Sequence, residues 1–291
     1  MKHTTTLAAR RLAALAAISV AAGTPAYAQS SPPRGVIAVS EFERGLKRIE
    51  IEVDGVPAWV IIDTGAGITG IGPELADKIG CRPFGQLSGV RMTGEVLTAP
   101  WCGPAVIKVG GVESEDYVMY FDVASLLPPD WPHVDGIVSL NAFLDGPITL
   151  DWPGNRIILE SDATLAERVA GLASSPLYIQ REVAGHATSV FFEVAAEPQP
   201  LRILLDAGSV GSNILTPSSF TQLGLKVPRP ASETAYGETI TADLTVADVP
   251  LKGVQLQSQE IIYDGTFGAA FLNENIVTLD FANQRIWVAP H

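Results

Sequence analysis

The chain repeats itself, and the repeat limits every fold that can be drawn for it. Three segments recur in the same order. "AWVIIDTGAG" at Ala58 resembles "LRILLDAGSV" at Leu201, "VDGIVSLNAFL" at Val134 resembles "YDGTFGAAFL" at Tyr263, and "ITLDWPGNRIIL" at Ile148 resembles "VTLDFANQRIWV" with one residue of slack. Asp63 and Asp206 are 143 residues apart, whereas Asp135 and Asp264, Asp151 and Asp280, and Arg156 and Arg285 are each separated by 129. The first copy therefore carries 14 extra residues between its acid and its "DG", in the region containing Cys102 and "LLPPDWPH".

Each copy opens with strand patterns. "KRIEIEVDGVPAWVIID" is two apolar-rich runs joined at Asp54-Gly55, a strong hairpin signal. "TSVFFEVAAEPQPLRILLD" repeats the arrangement with a longer loop. After each acid comes a turn and a short helix pattern, "PELADKIG" from Pro73 and "PSSFTQLG" from Pro217, with Pro first and Gly last. A longer helical pattern at 161–175, with Asp162 as its cap candidate, reads as a linker between β-rich lobes at 29–160 and 176–291.

The stretch "GAGITG" from Gly65 also fits the dinucleotide-binding spacing G-x-G-x-x-G. That motif needs a substantial helix after the glycines and an acid about 20 residues on for the ribose. Here the helix pattern is short, and "GQLSG" stands where the acid belongs. The second copy, "DAGSVG", breaks the glycine spacing and keeps the Asp and the glycine two residues later. The repeat preserves a carboxylate, not a phosphate cradle.

If a pseudo-twofold axis relates the copies, Asp63 and Asp206 meet on it. Two carboxyls in contact cannot both ionise easily, so they share a proton and titrate as a unit. One then activates a water as general base while the other protonates a carbonyl oxygen. That is amide hydrolysis without a covalent intermediate. The alternative is a pair of turn-capping acids in a fold without chemistry.

"IIDTGAG" and "LLDAGSVGSNI", each followed by "DGIVS" or "DGTFG", then "FL" and "TLD", resemble the aspartic protease family, especially its retropepsin-like bacterial members. The resemblance implies an all-β protein of two tandem β-barrel lobes with a peptide-binding cleft between them. It implies a catalytic dyad of Asp63 and Asp206, and an endopeptidase that works as a monomer on a polypeptide substrate with neither cofactor nor metal. Gly65 and Gly208 would permit the tight turn that aims each acid. Thr64 would brace the pair across the axis. Gly89, Val90, Arg91, Met92, Thr93 and Gly94 resemble a flap, with Tyr236 and Gly237 in a shorter counterpart. Two departures stand out. Ala207 replaces a Thr or Ser, and Gly67 replaces a small hydroxyl residue, so two hydrogen bonds of the family's network are missing.

Composition sets the remaining bounds. Hydrophobic residues make up 47% and charged residues 18%, an ordinary globular balance. Lys2, Arg10 and Arg11 precede the apolar run "LAALAAISVAAG" and the small-x-small "AYA", so residues 1–28 read as a cleaved signal peptide and the protein as periplasmic or secreted. The run is too short for the roughly 20 residues of a membrane span. Removing that leader moves the formal charge from -13 to -16, which disfavours nucleic acid and anionic membranes as partners. Cys81 and Cys102 flank "LSGVRMTGEV", and a hairpin with its tip near Arg91 and Met92 brings them together as a disulfide; two unpaired buried thiols are the other reading. His133, His186 and His291 stand singly without metal-ligand spacing, Ser209 and Ser212 lack a G-x-S-x-G setting, and Asp135, Asp151, Asp264 and Asp280 read as turn and strand-end residues. The Trp and Phe residues read as core.

Overall fold

The computed structural model describes residues 32–230 and 237–291. Its strands form three sheets, one for each copy of the repeat and one that both copies share. In the first copy the hairpin strands Lys47–Val53 and Val56–Ile62 turn at Asp54 and Gly55, both left-handed at φ 48° and 79°. That is the pair of conformations a two-residue hairpin with the natural strand twist requires. Val53 also pairs with Ile107 of the long strand Val96–Val109, which wraps the eight-stranded sheet back on itself. The second copy does the same with seven strands, closed where Val194 meets Val246. Each lobe is thus a small rolled β-sheet, and the two together make a tandem two-lobed architecture.

The rolled sheets aim the acids. Val56–Ile62 runs parallel to Gly136–Val138, and Leu201–Leu205 runs parallel to Gly265–Phe267. Asp63 N donates to Val138 O at 3.0 Å, and Asp206 N donates to Phe267 O at 3.0 Å. Each carboxylate therefore leaves the end of its strand from the same backbone fixture.

The third sheet has six strands, with Ile148–Asp151 and Asn275–Asp280 antiparallel at its centre. These are the two "TLD" segments. Thr149 lies opposite its own counterpart, Thr278, and the hydroxyls are 2.9 Å apart. Asp151 and Asp280 accept from Gly154 N and Asn283 N at 2.9 and 3.0 Å, so both close turns.

Apolar residues from both lobes and this shared sheet join in one continuous core, with Trp152, Phe143, Phe192, Phe220, Phe267 and Phe271 buried in it. The aromatic residues do not all go inside. Trp59 and Phe84 are 38% and 49% exposed, because their strand positions face outward. The helix Asp162–Arg168 starts one residue earlier than its cap candidate suggests. Ser161 is the cap, accepting from Thr164 N at 3.2 Å while Thr164 Oγ1 accepts from Ser161 N at 2.9 Å, and Asp162 occupies the first turn.

Candidate active site

Asp63 and Asp206 face each other across the pseudo-twofold axis, half-buried. Each carboxylate first satisfies its own turn, Asp63 Oδ1 accepting from Gly65 N and Asp206 Oδ1 from Gly208 N, both at 3.0 Å. The approach of the two turns is very close. A Cβ on Gly65 would lie 2.5 Å from the Asp206 carboxyl carbon, and one on Gly208 would lie 2.5 Å from Asp63 Oδ2.

This corrects the role expected for these glycines. Neither has a positive φ, so the turn itself does not demand glycine there. The opposite carboxylate does, because any side chain would occupy its space. Left-handed backbone appears instead at Gly67 and Gly211, φ 72° and 83°. Gly67 stands where a hydroxyl residue was expected, in a conformation that β-branched residues rarely adopt.

Thr64 is buried and braces the pair from one side. Its Oγ1 donates to Leu205 O at 2.7 Å and accepts from Ala207 N at 2.9 Å, linking the strand end of the second lobe to the turn of the first. The twofold-related bond, from a hydroxyl at 207 to the Ile62 carbonyl, cannot form because Ala207 has none. The brace is half of a symmetric one.

Burial lifts the Asp63 carboxyl above its ordinary range, against the pull of the Gly65 and Ala66 N–H groups and a hydrogen bond with Asp206. Asp206 is lifted well above it, first by burial and then by the negative charge of Asp63 and the hydrogen bond between them; the Gly208 and Ser209 N–H groups oppose this. The pair consequently shares a proton and titrates as a unit. Desolvation plus a like charge is the arrangement that poises an acid beside a base.

Gly89, Val90, Arg91, Met92, Thr93 and Gly94, expected to form a flap, lie at the tip of the hairpin between Phe84–Val90 and Val96–Val109. Arg91 N donates to Glu95 O and Gly94 N to Arg91 O, both at 2.8 Å, and Gly94 takes φ 86°. Met92 O accepts from Ile262 N at 2.9 Å, so the tip reaches the second lobe. Cys81 and Cys102 form a disulfide at the base of this hairpin, with their Cα atoms 5.7 Å apart. Gly237 precedes the strand Thr239–Val246, and Tyr236 lies outside the described residues.

Sequence reasoning missed a further bridge between lobes. His186 Nδ1 lies 2.6 Å from Asp116 Oδ1, its ring is edge-on to Trp101 and Tyr117, and Asn141 donates to both Asp116 and the His186 carbonyl. Asp116 and His186 are 70 residues apart in the chain, and no local pattern joins them. His133 pairs with Asp135 at 3.4 Å. Among the described residues no cluster of His, Cys, Asp and Glu is arranged to hold a metal ion.

Residues 49–137, which include Asp63, both cysteines and the hairpin tip 89–94, match the family model described as aspartyl protease. That match makes this part of the chain similar to aspartyl proteases. The same two-lobed fold occurs in the basic 7S globulin of soybean, with 12% identity and a TM-score of 0.57 over 88% of this chain and 94% of that one. It occurs also in conglutin gamma, a basic 7S globulin from lupine seeds, with 12% identity and a TM-score of 0.56 over 90% and 96%. No curated protein sequence matches the chain. Both solved structures are named globulins, and a likeness at 12% identity shows the fold alone.

Proposed function

We propose that the protein is an exported aspartic-type endopeptidase that hydrolyses peptide bonds with Asp63 and Asp206. The observation that supports it is the mutual approach of the two turns, each glycine kept bare by the opposite carboxylate. A cap for a turn needs no such partner; a shared-proton dyad does.

In this reading a water lies between the carboxyls. Asp63, ionised, takes a proton from the water as its oxygen attacks the peptide carbonyl, and Asp206 gives its proton to the carbonyl oxygen. The tetrahedral intermediate collapses when the proton on Asp63 passes to the leaving nitrogen and Asp206 recovers its own. The flap covers the substrate and excludes bulk water. Export is supported by the disulfide Cys81–Cys102, which belongs to an oxidising compartment, and by the leader pattern of residues 1–28. The substrate is a polypeptide in extended form, taken by one copy of the chain.

A second reading is a protein that holds peptides in the same cleft without cutting them. Ala207 favours it, because the dyad has lost one of its two cross-axis hydroxyl braces. Cleavage of a mixed peptide library from acid to neutral pH separates the two readings. Turnover by the wild type that disappears in Asp63→Asn and in Asp206→Asn supports the peptidase. Turnover that survives both substitutions removes the dyad, and folded wild type that binds peptides without cutting any establishes the second reading.

A further inference from the structure

The second lobe reaches into the first beside the Asp63 turn, through the hairpin of Tyr178–Glu182 and Ala187–Val194. Thr188 N donates to Gly67 O at 3.0 Å, which bonds this hairpin directly to the turn that carries Asp63. Ile68, Leu87 and Ala187 form a small buried cluster separate from the main core, with Trp101, Met119 and Val183 packed onto it. The hairpin thus touches both the dyad turn and the strand Phe84–Val90.

His186 stands at the tip of that hairpin. Its Nδ1 lies 2.6 Å from Asp116 Oδ1 on the strand Val112–Tyr120, and its ring is edge-on to Trp101 and Tyr117 at 5.8 and 5.2 Å. The Asn141 amide donates to Asp116 Oδ2 at 3.2 Å and to the His186 carbonyl. From Asn141 the contacts run back to the dyad. Asn141 N donates to Ser139 Oγ at 3.3 Å, Ser139 N donates to Thr69 Oγ1 at 3.1 Å, and Ser139 follows Val138, whose carbonyl accepts from Asp63 N. Two routes therefore link His186 to the Asp63 turn, one through Thr188 and one through Asn141 and Ser139.

Asp116 is the charged group that faces the ring. Tyr117 from the same strand and Trp101 from Val96–Val109 offer aromatic edges, and Asn141 from the turn Leu140–Phe143 is neutral. On the hairpin itself Arg181 donates to Gly185 O at 3.2 Å and Glu182 accepts from Gln180, so both are engaged elsewhere. Two buried polar atoms of this junction, Asn141 Oδ1 and Thr188 Oγ1, have no protein partner among the described residues. A contact with a small apolar cluster and unsatisfied polar atoms opens more readily than a main core. The reciprocal contact is built differently. The first lobe's turn Glu43–Gly45 meets the helix Ala269–Glu274 so closely that a Cβ on Gly45 would lie 2.9 Å from Asn273 Nδ2, and neither segment contains a histidine.

We propose that His186 is a titratable positioning residue for the dyad: charged, it locks the second-lobe hairpin onto Asp116 and holds the Asp63 turn; neutral, it releases that hold. Imidazole changes charge between about pH 5 and 8, a range in which an ordinary carboxylate stays ionised. The ion pair is therefore present on the acid side of that range and lost as pH rises through it, leaving a neutral hydrogen bond where a charge-assisted one stood. Charge-assisted bonds are about twice as strong as neutral ones. The side chains of His186 and Asp116 are 36% and 22% exposed, so solvent screens the pair only in part. The clasp closes in acid, the side of the pH scale on which the dyad also keeps its shared proton. Its effect on turnover rests on the peptidase reading above; the movement of the turn does not.

Amide hydrogen exchange, read on peptides covering residues 64–70 and 183–190 and corrected for the intrinsic pH dependence of exchange, tests the movement. In the wild type, protection of both segments is expected to fall severalfold between about pH 5.5 and about pH 8. His186→Gln keeps a hydrogen-bonding side chain that does not titrate, and Asp116→Asn removes the negative charge. In each variant protection is expected to stay at the wild type's alkaline level throughout, with thermal unfolding confirming a folded protein. Equal protection of residues 64–70 in the wild type and both variants at about pH 5.5 overturns the proposal. Turnover supplies the second arm where the wild type cuts a peptide. At about pH 5.5, His186→Gln is expected to lower kcat about 3- to 10-fold with KM within about twofold, and the deficit to shrink toward the highest pH at which the wild type still turns over. An unchanged kcat in acid, or a deficit equal at every pH, overturns the titrating role. A wild type that cuts nothing sinks the peptidase reading alone, because exchange still decides whether His186 holds the turn.

Discussion

The two lobes share every contact that places a carboxylate and differ in almost everything laid over that frame. Both acids hang from a parallel strand pair, both accept from the glycine two residues on, and both "DG" acids tie down the strand four residues before the dyad. Yet among the described residues only the first lobe has the brace hydroxyl, the disulfide-tied hairpin and the self-covering segment 121–134. The difference teaches which contacts the dyad geometry needs. What recurs positions charge; what diverges covers or braces.

That division can be broken experimentally. Loss of the shared frame carries the largest effect: Asp206→Asn is expected to lower kcat by about 10²- to 10⁴-fold, measured on any peptide the wild type cuts. The same variant has a stability signature. Asp206 in the folded chain keeps its proton well above the ordinary carboxylate value of 3.8, so the native state binds a proton that the unfolded chain has released. Wild-type stability therefore falls as pH rises through that window, and its cost is absent below the ordinary value. Urea midpoints of Asp206→Asn against wild type are expected to diverge in favour of the variant as pH rises from acid toward neutral.

Removing a feature unique to one lobe comes next. The disulfide closes a loop of 21 residues, and Cys81→Ser with Cys102→Ser is expected to cost about 3 kcal/mol in denaturant unfolding under oxidising conditions. The two close-approach glycines should then behave alike. Gly65→Ala and Gly208→Ala are each expected to destabilise by about 1–3 kcal/mol through overpacking and to displace the opposite carboxylate, seen as lost turnover. A large inequality between them would show that the frame is less symmetric than its hydrogen bonds.

The half-brace gives the smallest effects. Thr64→Ala leaves the Leu205 carbonyl and the Ala207 N–H without their buried partner, at about 1–3 kcal/mol in thermal or urea unfolding. Ala207→Ser adds a hydroxyl within reach of the missing bond and is expected to raise stability by at most about 1 kcal/mol. Should Ala207→Ser also raise kcat, the asymmetry limits turnover; should it leave kcat unchanged, the single brace suffices.

Much of this was legible in the sequence because it is local or repeated. The Asp54-Gly55 hairpin, the helices after Pro73 and Pro217, and the pairing of Asp63 with Asp206 all follow from short patterns met twice. The third sheet was not legible, since nothing in "TLD" says that each copy pairs with the other. Gly65 and Gly208 were read as turn residues because glycine usually signals backbone conformation, whereas their reason is a carboxylate from 143 residues away. Trp59 looked like core because strand parity alone does not tell which face meets solvent. Ile262 carried no motif, and its bond to Met92 at the hairpin tip depends on a connection being short rather than on what it contains.

The pairing of Thr149 with Thr278 has an architectural consequence. Ile148 faces Leu279 and Leu150 faces Val277 about that central threonine pair, and those partners are the repeat equivalents of Leu150 and Ile148. A strand that meets its own copy antiparallel is self-complementary, so two separate halves could join by the same edge under true twofold symmetry. The covalent link then acts as a tether that sets local concentration, and it frees each half to mutate alone. A homodimer must change both sides of its twofold axis at once; this chain can alter one lobe and leave the other as it is.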